Sequence, residues 1–600
     1  MPDPSLALRL VRTAPVIAYD TETTGLDYSS VVCGYVITDR DNSLYIPVRH
    51  EPGGNIVDVE DFEHELAQAF KDRARAGLRT VGHSLHFDMR MSRRHGVQLF
   101  GPLEDTEINE GLLQDDARVF NLEDSCVRRG VTPKKGTELY AELARRFGGL
   151  PTRESMKHYW RLEGDNALAV DYATGDGVST LALWEAQQPL LDERPFDKDD
   201  LRQVWKLECD LIPYVDRINA KGVKVSQENY ERVKAGIDEQ IALAKTKLPP
   251  GFNVRSPGEI QKLYEANGIS DFAKTPAGKP SFTEKWLEQN EIGNLILAVR
   301  RLEKADSSFM VPLVQTNNVG GRVHPILHQS KNDDSGAVGG RFSCSEPNLQ
   351  AFPKRNKVIG KLVRQLIVPD FGHIYDADFG QQEPRLFAHY SEDKKLIEGY
   401  SQMPPVDLHD LAIEITGRDR DGAKRLGMGI LTMLGEKSLA GHMGYSLAEA
   451  KADKQRYLGG FPKIRDFQQL AMRVAKHRGL IRTLLGRIAH VDFDFAYKAV
   501  SRIIQGGGAD ISKTVLLRIC QFAETCPQPI DILMTVHDSF MFQCEPDAPI
   551  KEMVALMEDL QTPPFNLKVP IPVEVGRGLD WAEASYGEKI RDIKRGGWLI

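Results

Sequence analysis

Two acidic segments, the second of them set in a strongly apolar run, restrict the fold of this 600-residue sequence more than any other feature. The first spans residues 375–385 and contains Asp378, and the second carries Asp538 within the apolar run 530–542. Each segment is typical of a strand that delivers one carboxylate, and two carboxylates brought together can hold two divalent ions for in-line phosphoryl transfer. Between them lie Arg420 and Lys424, a cationic helix start suited to a triphosphate. This order of acid, base and acid predicts a nucleotide-polymerising site.

Length and composition indicate an ordinary globular chain of roughly two to four domains. Hydrophobic residues make up 41% and charged residues 27%, which is usual for such proteins. Apolar runs stay below the roughly 18 residues needed to span a bilayer, and the first 15 residues lack a signal-peptide core. Seven scattered cysteines without a CxxC pair indicate reduced thiols and disfavour structural zinc. We therefore expect a cytoplasmic protein without a membrane partner.

The net charge of −8 argues weakly against a nucleic-acid partner, because such proteins often carry a basic surplus. Phosphate contact needs only a local basic groove, however. The basic segments 300–304 and 354–357 can supply one. A solvated surface is an equally good interpretation of either segment alone.

Hydrophobic periodicity divides the chain into an α/β part and a mainly helical part. Alternation at period two predicts strands at 16–19, 31–37, 44–48 and 80–81, with a helix at 61–76. From 195 to about 330 the pattern is helical and charged, with 201–220 the clearest amphipathic stretch. Strand-like and helical stretches mix from residue 321 onward.

Acidic residues also recur within the first 180 positions. Asp20 and Glu22 lie two apart at a strand end and so share a face; Asp88 follows, and Tyr172 and Asp176 are four apart on one predicted helical face. Hard carboxylate oxygens suit Mg²⁺ or Mn²⁺. Four acids can hold two such ions across a scissile phosphate, and a tyrosine hydroxyl can orient the attacking water.

This ordered set resembles the DEDDy class of 3′→5′ exonucleases, whose fold is ribonuclease H-like. The resemblance implies that Tyr172 is catalytic and orients the water. It implies four metal ligands: Asp20, Glu22, Asp88 and Asp176. His83 stands where proofreading domains usually have asparagine.

The whole chain resembles the family A DNA polymerases, on the block 340–350, the segments around Asp378 and Asp538, the stripe Arg420-x₃-Lys424-x₃-Met428 and the tail 569–581. The resemblance implies an α/β plus α+β multidomain fold, with a ribonuclease H-like exonuclease followed by a right-hand polymerase. The domain limits we predict are 1–195 for the exonuclease, 196–320 for palm entry and thumb, 321–395 for palm, 396–490 for fingers and 491–600 for palm. The lack of a 5′-nuclease segment before Asp20 suggests a compact phage-type arrangement.

The same resemblance assigns roles in the polymerase region. Asp378 and Asp538 match catalytic metal ligands, and Glu383 matches the steric gate against a ribose 2′-hydroxyl. Residues spaced by four lie on one helical stripe, which turns Arg420 and catalytic Lys424 toward the triphosphate. The implied nucleotide-binding residues are Arg420, Lys424, His409, Gln381, Glu383, Met428 and Thr432, and the implied DNA contacts are Arg341, Gln505 and His537.

Six positions of the polymerase region depart from the family pattern, among them Met433, which stands where the family has glycine. Met428 and Thr432 replace an aromatic residue and a tyrosine that wall the nascent base pair, and Ser539 replaces a glutamate beside Asp538. Tyr497 and Ser501 replace the usual arginine and asparagine. Because methionine is flexible and polarizable, we hypothesise that Met428 relaxes the selectivity for bases or sugars.

The leading hypothesis is a template-directed DNA polymerase with proofreading, with two Mg²⁺ ions per site and Mn²⁺ as an alternative. Its partners would be primer–template DNA and deoxynucleoside triphosphates. The chain would act as a monomer in replicating a phage genome, in the host cytoplasm if a phage encodes it. A processivity partner stays open. One alternative is a 3′→5′ exonuclease whose polymerase region only grips DNA; another is a non-enzymatic nucleic-acid scaffold.

Overall fold

The computed structural model describes residues 3–599 except 193–200, 273, 276, 277, 331–338, 355, 403, 405 and 407. These residues form an α/β region followed by α+β regions, which confirms the predicted multidomain fold class. Within the described ranges, none of the helices combines the length and apolarity needed to cross a membrane.

The amino-terminal region is built on a five-stranded sheet in the order β3-β2-β1-β4-β5. Strands β1, β2 and β3 pair antiparallel, whereas β4 pairs parallel with β1 and with β5. The strands are β1 (Val16–Thr23), β2 (Val32–Thr38), β3 (Ser43–Pro47), β4 (Arg79–Gly82) and β5 (Leu103–Asp105). The helices are α1 (Pro4–Thr13), α2 (Val59–Arg75), α3 (Leu85–Arg93), α4 (Thr106–Leu113), α5 (Leu122–Arg128), α6 (Thr137–Phe147) and α7 (Ala167–Asp192).

Helices cover both faces of this sheet, and all seven residues of β2 are buried as a result. On one face α7 packs across β1, β2 and β3. On the other face Phe70 of α2 meets Tyr19 edge to face, with ring centroids 5.2 Å apart. The strands and the helix predicted at 61–76 are therefore confirmed. The sheet presents the carboxyl end of β1 toward α7.

The middle of the chain is mainly helical, as predicted, and the amphipathic stretch 201–220 is confirmed as α8. A separate small core forms around Ile260 and Tyr264. The helices are α8 (Arg202–Lys221), α9 (Gln227–Lys245), α10 (Pro257–Ala266), α11 (Glu284–Leu287) and α12 (Glu291–Ala305). Short strands follow the helices or lie between them: β6 (Val223–Val225), β7 (Arg322–Val323), β8 (Ile326–His328) and β9 (Ser343–Ser345).

The carboxy-terminal half surrounds a six-stranded antiparallel sheet in the order β14-β15-β11-β16-β17-β18. The strands are β10 (Ile367–Val368), β11 (His373–Phe379), β12 (Leu480–Arg482), β13 (Ile488–His490), β14 (Ile530–Val536), β15 (Ser539–Cys544), β16 (Val573–Gly578), β17 (Lys589–Asp592) and β18 (Gly597–Trp598). The helices are α13 (Lys357–Arg364), α14 (Gln382–Ser391), α15 (Lys394–Ser401), α16 (Leu408–Thr416), α17 (Arg420–Leu431), α18 (Glu436–Met443), α19 (Leu447–Gly460), α20 (Pro462–Arg478), α21 (Lys498–Thr525), α22 (Ile550–Glu558) and α23 (Trp581–Tyr586).

One carboxylate from the amino-terminal region joins it to the carboxy-terminal half. Asp115 follows α4, and its Oδ1 accepts from the backbone N–H of His490 at 2.9 Å and lies 2.7 Å from the ring Nδ1. Its Oδ2 accepts from Arg502 on α21 at 3.0 Å. We call these three residues the Asp115 junction. It fixes the start of α21 against the amino-terminal region.

Candidate active sites

Asp378 and Asp538 meet at the centre of the six-stranded sheet. Strand β11 pairs with β15 in a register that sets Asp378 opposite Ser539. The tight turn between β14 and β15 places His537 at a φ of 60°, and Asp538 follows directly. The backbone N–H of Phe379 donates to the carbonyl oxygen of Asp538 at 3.2 Å. The two aspartates, far apart in sequence, therefore lie on directly bonded segments.

The electrostatics of this pair are those of two like charges held away from water. Burial, followed by repulsion from Asp538, raises the pKa of Asp378 to about 6. Burial also raises the pKa of Asp538. The Oδ1 atom of Asp378 is buried and accepts no hydrogen bond from any described residue. Because buried polar atoms normally have partners, this oxygen fits a metal ligand.

Lys354 supplies a positive charge at the same place. Its Nζ lies 2.8 Å from Oδ2 of Asp378. Burial lowers the pKa of this lysine, but the attraction of Asp378 and the neighbouring carboxylates outweighs it and raises the pKa overall. Sequence reasoning placed Lys354 only in a general basic groove. No spacing pattern connects it with a residue on β11, so the contact could not be predicted.

The predicted gate and minor-groove residues are bonded to each other. Arg341 Nη2 donates to Oε1 of Glu383 at 2.6 Å, and Glu383 lies in the first turn of α14. Gln381 precedes this helix with a φ of 57°, and its Oε1 accepts from the hydroxyl of Tyr400 at 3.1 Å. The ion pair with Arg341 holds the Glu383 carboxylate in place, shortly after the strand that carries Asp378.

The predicted triphosphate stripe lies on α17, as the spacing of four required. Asp419 caps this helix by accepting from the N–H of Gly422 at 3.0 Å. Lys424 is exposed, Met428 is half-buried, and Arg420 forms an ion pair with Asp410. The backbone of His409 lies in α16, but its side chain is outside the described part of the structure.

Thr432 directly follows α17, and its hydroxyl bonds back to the last turn of that helix. Its Oγ1 donates to the carbonyl oxygen of Met428 at 2.8 Å, so this hydroxyl is used within the helix end. Gln505 is half-buried on α21. Three residues further on, the carbonyl of Gly508 accepts from Gln382 of α14 at 3.5 Å. Helix α21 therefore runs beside the residue that precedes Glu383.

In the amino-terminal region, three of the four predicted ligands converge. Carboxylate oxygens of Asp20, Glu22 and Asp176 lie within 4.8 Å of one another, because β1 carries the first two on one face and α7 packs over that strand. Burial, then repulsion from Asp176, raises the pKa of Asp20 to about 8. Asp88 lies outside this group of mutually close oxygens. Its Oδ1 instead accepts from the N–H and hydroxyl of Thr21, at 2.9 and 2.6 Å.

This cluster also has its own lysine, which sequence reasoning missed. Lys134 forms an ion pair with Oδ2 of Asp176, and its Nζ lies 3.8 Å from the centroid of the Tyr172 ring. Oδ1 of Asp176 is buried and accepts no hydrogen bond from the described residues, so it also fits a metal ligand. His83 Nδ1 lies 2.8 Å from the hydroxyl of Thr106 and is thus engaged within its own domain.

Comparisons with known proteins agree with this geometry. The family model for DNA polymerase family A matches residues 222–583, and the model for a 3′-5′ exonuclease matches residues 4–192. The chain is 30% identical to DNA polymerase DpoZ of Salmonella phage PMBT28 and 29% identical to that of Acinetobacter phage SH-Ab 15497, in each case over 95% of this chain and 97% of the relative.

A solved structure of the polymerase domain of Pol1 from M. smegmatis, in complex with DNA primer-template and dNTP, superposes with a TM-score of 0.77. The superposition covers 98% of this chain and 99% of that one at 22% identity, so it establishes a shared fold. The family model for DNA polymerase family A matches more than half of the chain, and this match carries the assignment to a family. The chain belongs to DNA polymerase family A, and it is a DNA polymerase with a 3′-5′ exonuclease domain.

Proposed function

We propose that Asp378 and Asp538 form the metal-binding centre of template-directed DNA synthesis. The bond between the Phe379 N–H and the Asp538 carbonyl, which sets the two aspartates side by side, is the observation that carries this assignment. Mg²⁺ or Mn²⁺ ions held there would supply Lewis-acid stabilisation of the phosphoryl transfer. Each carboxylate would contribute oxygen ligands, and the buried Oδ1 of Asp378, which accepts no hydrogen bond from the described residues, is available as one of them.

The other residues bind and orient the substrates in this proposal. The primer 3′-hydroxyl attacks the α-phosphate of the incoming nucleotide, and pyrophosphate leaves. The cationic groups of α16 and α17 neutralise the triphosphate, while Glu383 fills the space of a ribose 2′-hydroxyl. The proposed contacts to the triphosphate are His409, Arg420 and Lys424. The proposed contacts to the rest of the nucleotide are Gln381, Met428 and Thr432, and those to DNA are Arg341, Gln505 and His537.

For proofreading, we propose hydrolysis of a frayed primer end at Asp20, Glu22, Asp88 and Asp176. Tyr172 orients the water, as its place beside Asp176 supports. Asp88 would complete the ligand set by releasing Thr21. Primer–template DNA and deoxynucleoside triphosphates are the proposed partners of a monomer that replicates a phage genome in the host cytoplasm. The domain limits predicted from the sequence are part of this proposal.

Primer extension and end-trimming on one labelled duplex test these assignments together. Asp538→Asn should abolish extension and leave trimming intact, and Asp20→Ala should do the reverse. Loss of a single electrostatic contact to a transition state costs at least about 10²-fold in rate. Asp547→Asn, an exposed acid close to Asp538 in the sequence, is the matched control. If the Asp538→Asn variant still extends primers, Asp538 is not part of the synthesis site.

A further inference from the structure

Three aromatic side chains stand exposed just before α21. Phe493, Phe495 and Tyr497 are 63%, 46% and 44% exposed, and we call them the aromatic surface. Single exposed apolar residues are common, but three exposed rings within five residues make this turn a candidate interaction site. The residues lie between β13, which carries His490 of the Asp115 junction, and the helix that carries Gln505.

Local backbone geometry holds these rings outward. Asp492 accepts from the N–H of Asp494 at 2.9 Å and starts a 3₁₀ turn over Phe493–Phe495. Ala496 is buried below the turn. The rings of Phe495 and Tyr497 lie with centroids 6.4 Å apart. The exposure is therefore a property of a structured turn.

Lysines border the rings directly. Nζ of Lys476 lies 5.1 Å from the centroid of Phe493, and Nζ of Lys498 lies 4.4 Å from that of Phe495. Lys476 belongs to a basic last turn of α20 that also contains His477 and Arg478.

The acidic neighbours offset this charge only in part. Asp492 and Asp494 are both exposed, and Asp492 already accepts a backbone hydrogen bond. The cations of the α20 end and Lys498 outnumber these two acids. Cations in contact with ring faces keep positive charge beside the apolar surface.

Exposed rings with adjacent cations fit unpaired nucleotides best. Each base of a single strand offers a flat face that stacks on an aromatic ring, and each phosphate offers a charge for a lysine. A duplex buries its base faces by stacking, so it cannot use the rings. The aromatic surface therefore favours a single strand over a duplex.

The fold places this surface close to the proposed polymerase site. Helix α21 starts at Lys498, next to the aromatic surface, and Gly508 contacts Gln382 beside Glu383. Ten residues of α-helix span about 15 Å. We propose that the aromatic surface stacks unpaired template bases close to the polymerase site. This inference rests on the proposed synthesis site, since only a copied template brings a single strand there.

Binding of labelled DNA, followed by fluorescence anisotropy, tests the proposal. The three ligands are a blunt duplex, the same duplex with a 5′ template overhang, and that overhang made abasic. Wild type should prefer the normal overhang, and the double variant Phe493→Ala/Phe495→Ala should lose at least about fivefold of its affinity for it. Affinity for the blunt duplex should stay unchanged, which also shows that the variant is folded.

Two further variants define the readout. Leu470→Ala removes another exposed apolar side chain, 52% exposed on α20, and should bind all three ligands as wild type does. Phe493→Trp/Phe495→Trp retains rings and should retain the overhang preference. Equal binding of normal and abasic overhangs by wild type, or an unchanged preference in the alanine variant, would overturn the proposal. If wild type extends primers but gives either of these two binding results, only the proposed role of the aromatic surface is wrong. If wild type extends no primers, the proposed synthesis site is wrong.

Discussion

The backbone N–H of Phe379 donates a hydrogen bond to the carbonyl oxygen of Asp538 at 3.2 Å. The bond joins the end of β11 to the β14–β15 turn, so both aspartates depend on the sheet register rather than on flexible loops. A slip by one residue would turn the Asp378 side chain to the other face of the sheet. The geometry of the proposed metal centre is thus fixed by main-chain bonds before any ion binds.

Replacing Lys354 by methionine should make the metal-free protein less stable and more responsive to metal. Without its ammonium group, the buried carboxylates of Asp378 and Asp538 repel each other uncompensated. We expect the rise in melting temperature between EDTA and Mn²⁺ to be larger in Lys354→Met than in wild type. Lys361→Met, an exposed lysine on α13, is the control. An identical rise in all three proteins would rule out this role of Lys354.

Truncating Glu383 should weaken discrimination against ribonucleotides. Glu383→Ala removes the side chain that Arg341 holds in place and opens the space proposed for a 2′-hydroxyl. The efficiency of ribonucleotide relative to deoxynucleotide incorporation should rise by about tenfold or more, measured by single-nucleotide extension. Glu383→Gln keeps the volume and should keep most of the discrimination. If the alanine variant discriminates as wild type does, Glu383 does not act as a gate.

An aromatic residue at position 428 should narrow nucleotide selectivity. Met428 is half-buried on α17. If it forms the proposed wall of the nascent base pair, a rigid ring at this position would hold a shape that a flexible methionine leaves adaptable. Met428→Phe should lower the relative use of dideoxy- or base-modified triphosphates by about tenfold. Met443→Phe, at the end of α18, tests for a general effect of an added ring. Unchanged selectivity in Met428→Phe would contradict the hypothesis.

The Asp115 junction should weaken as the pH rises. The hydrogen bond to Asp115 raises the pKa of His490 above its usual 6.5. A raised folded-state pKa stabilises the protein fully below about 6.5, and this contribution is lost as pH rises through the folded pKa. Between pH 6 and 8, the melting temperature of wild type should fall further than that of His490→Gln, by about 1–3 °C. His477→Gln should resemble wild type, and an equal fall in His490→Gln would contradict this role.

Local sequence signals predicted elements well because they record burial along one segment. Period two identified β1, and the spacing of four identified the helical faces of Tyr172–Asp176 and Arg420–Met428. The family resemblance then named the residues of both candidate sites. The convergence of Asp20, Glu22 and Asp176 follows from these elements once α7 packs over β1.

Contacts between distant segments left no such signal. The ion pairs of Lys354 with Asp378 and of Lys134 with Asp176 depend on where loops settle after folding. The Asp115 junction joins residues separated by most of the chain. The position of Asp88 outside the carboxylate group depends on hydrogen bonds to another segment, because the N–H and hydroxyl of Thr21 both donate to its Oδ1. Periodicity cannot report any of these.

The Asp115 junction bears on how an exonuclease-deficient form of this enzyme should be engineered. Deleting the amino-terminal region would leave His490 and Arg502 without their shared carboxylate and would loosen the first turns of α21. A truncated enzyme would then differ from its parent in more than the absent nuclease. Point substitution of Asp20, a proposed ligand of the exonuclease site, keeps that anchor and is the cleaner way to separate the two activities.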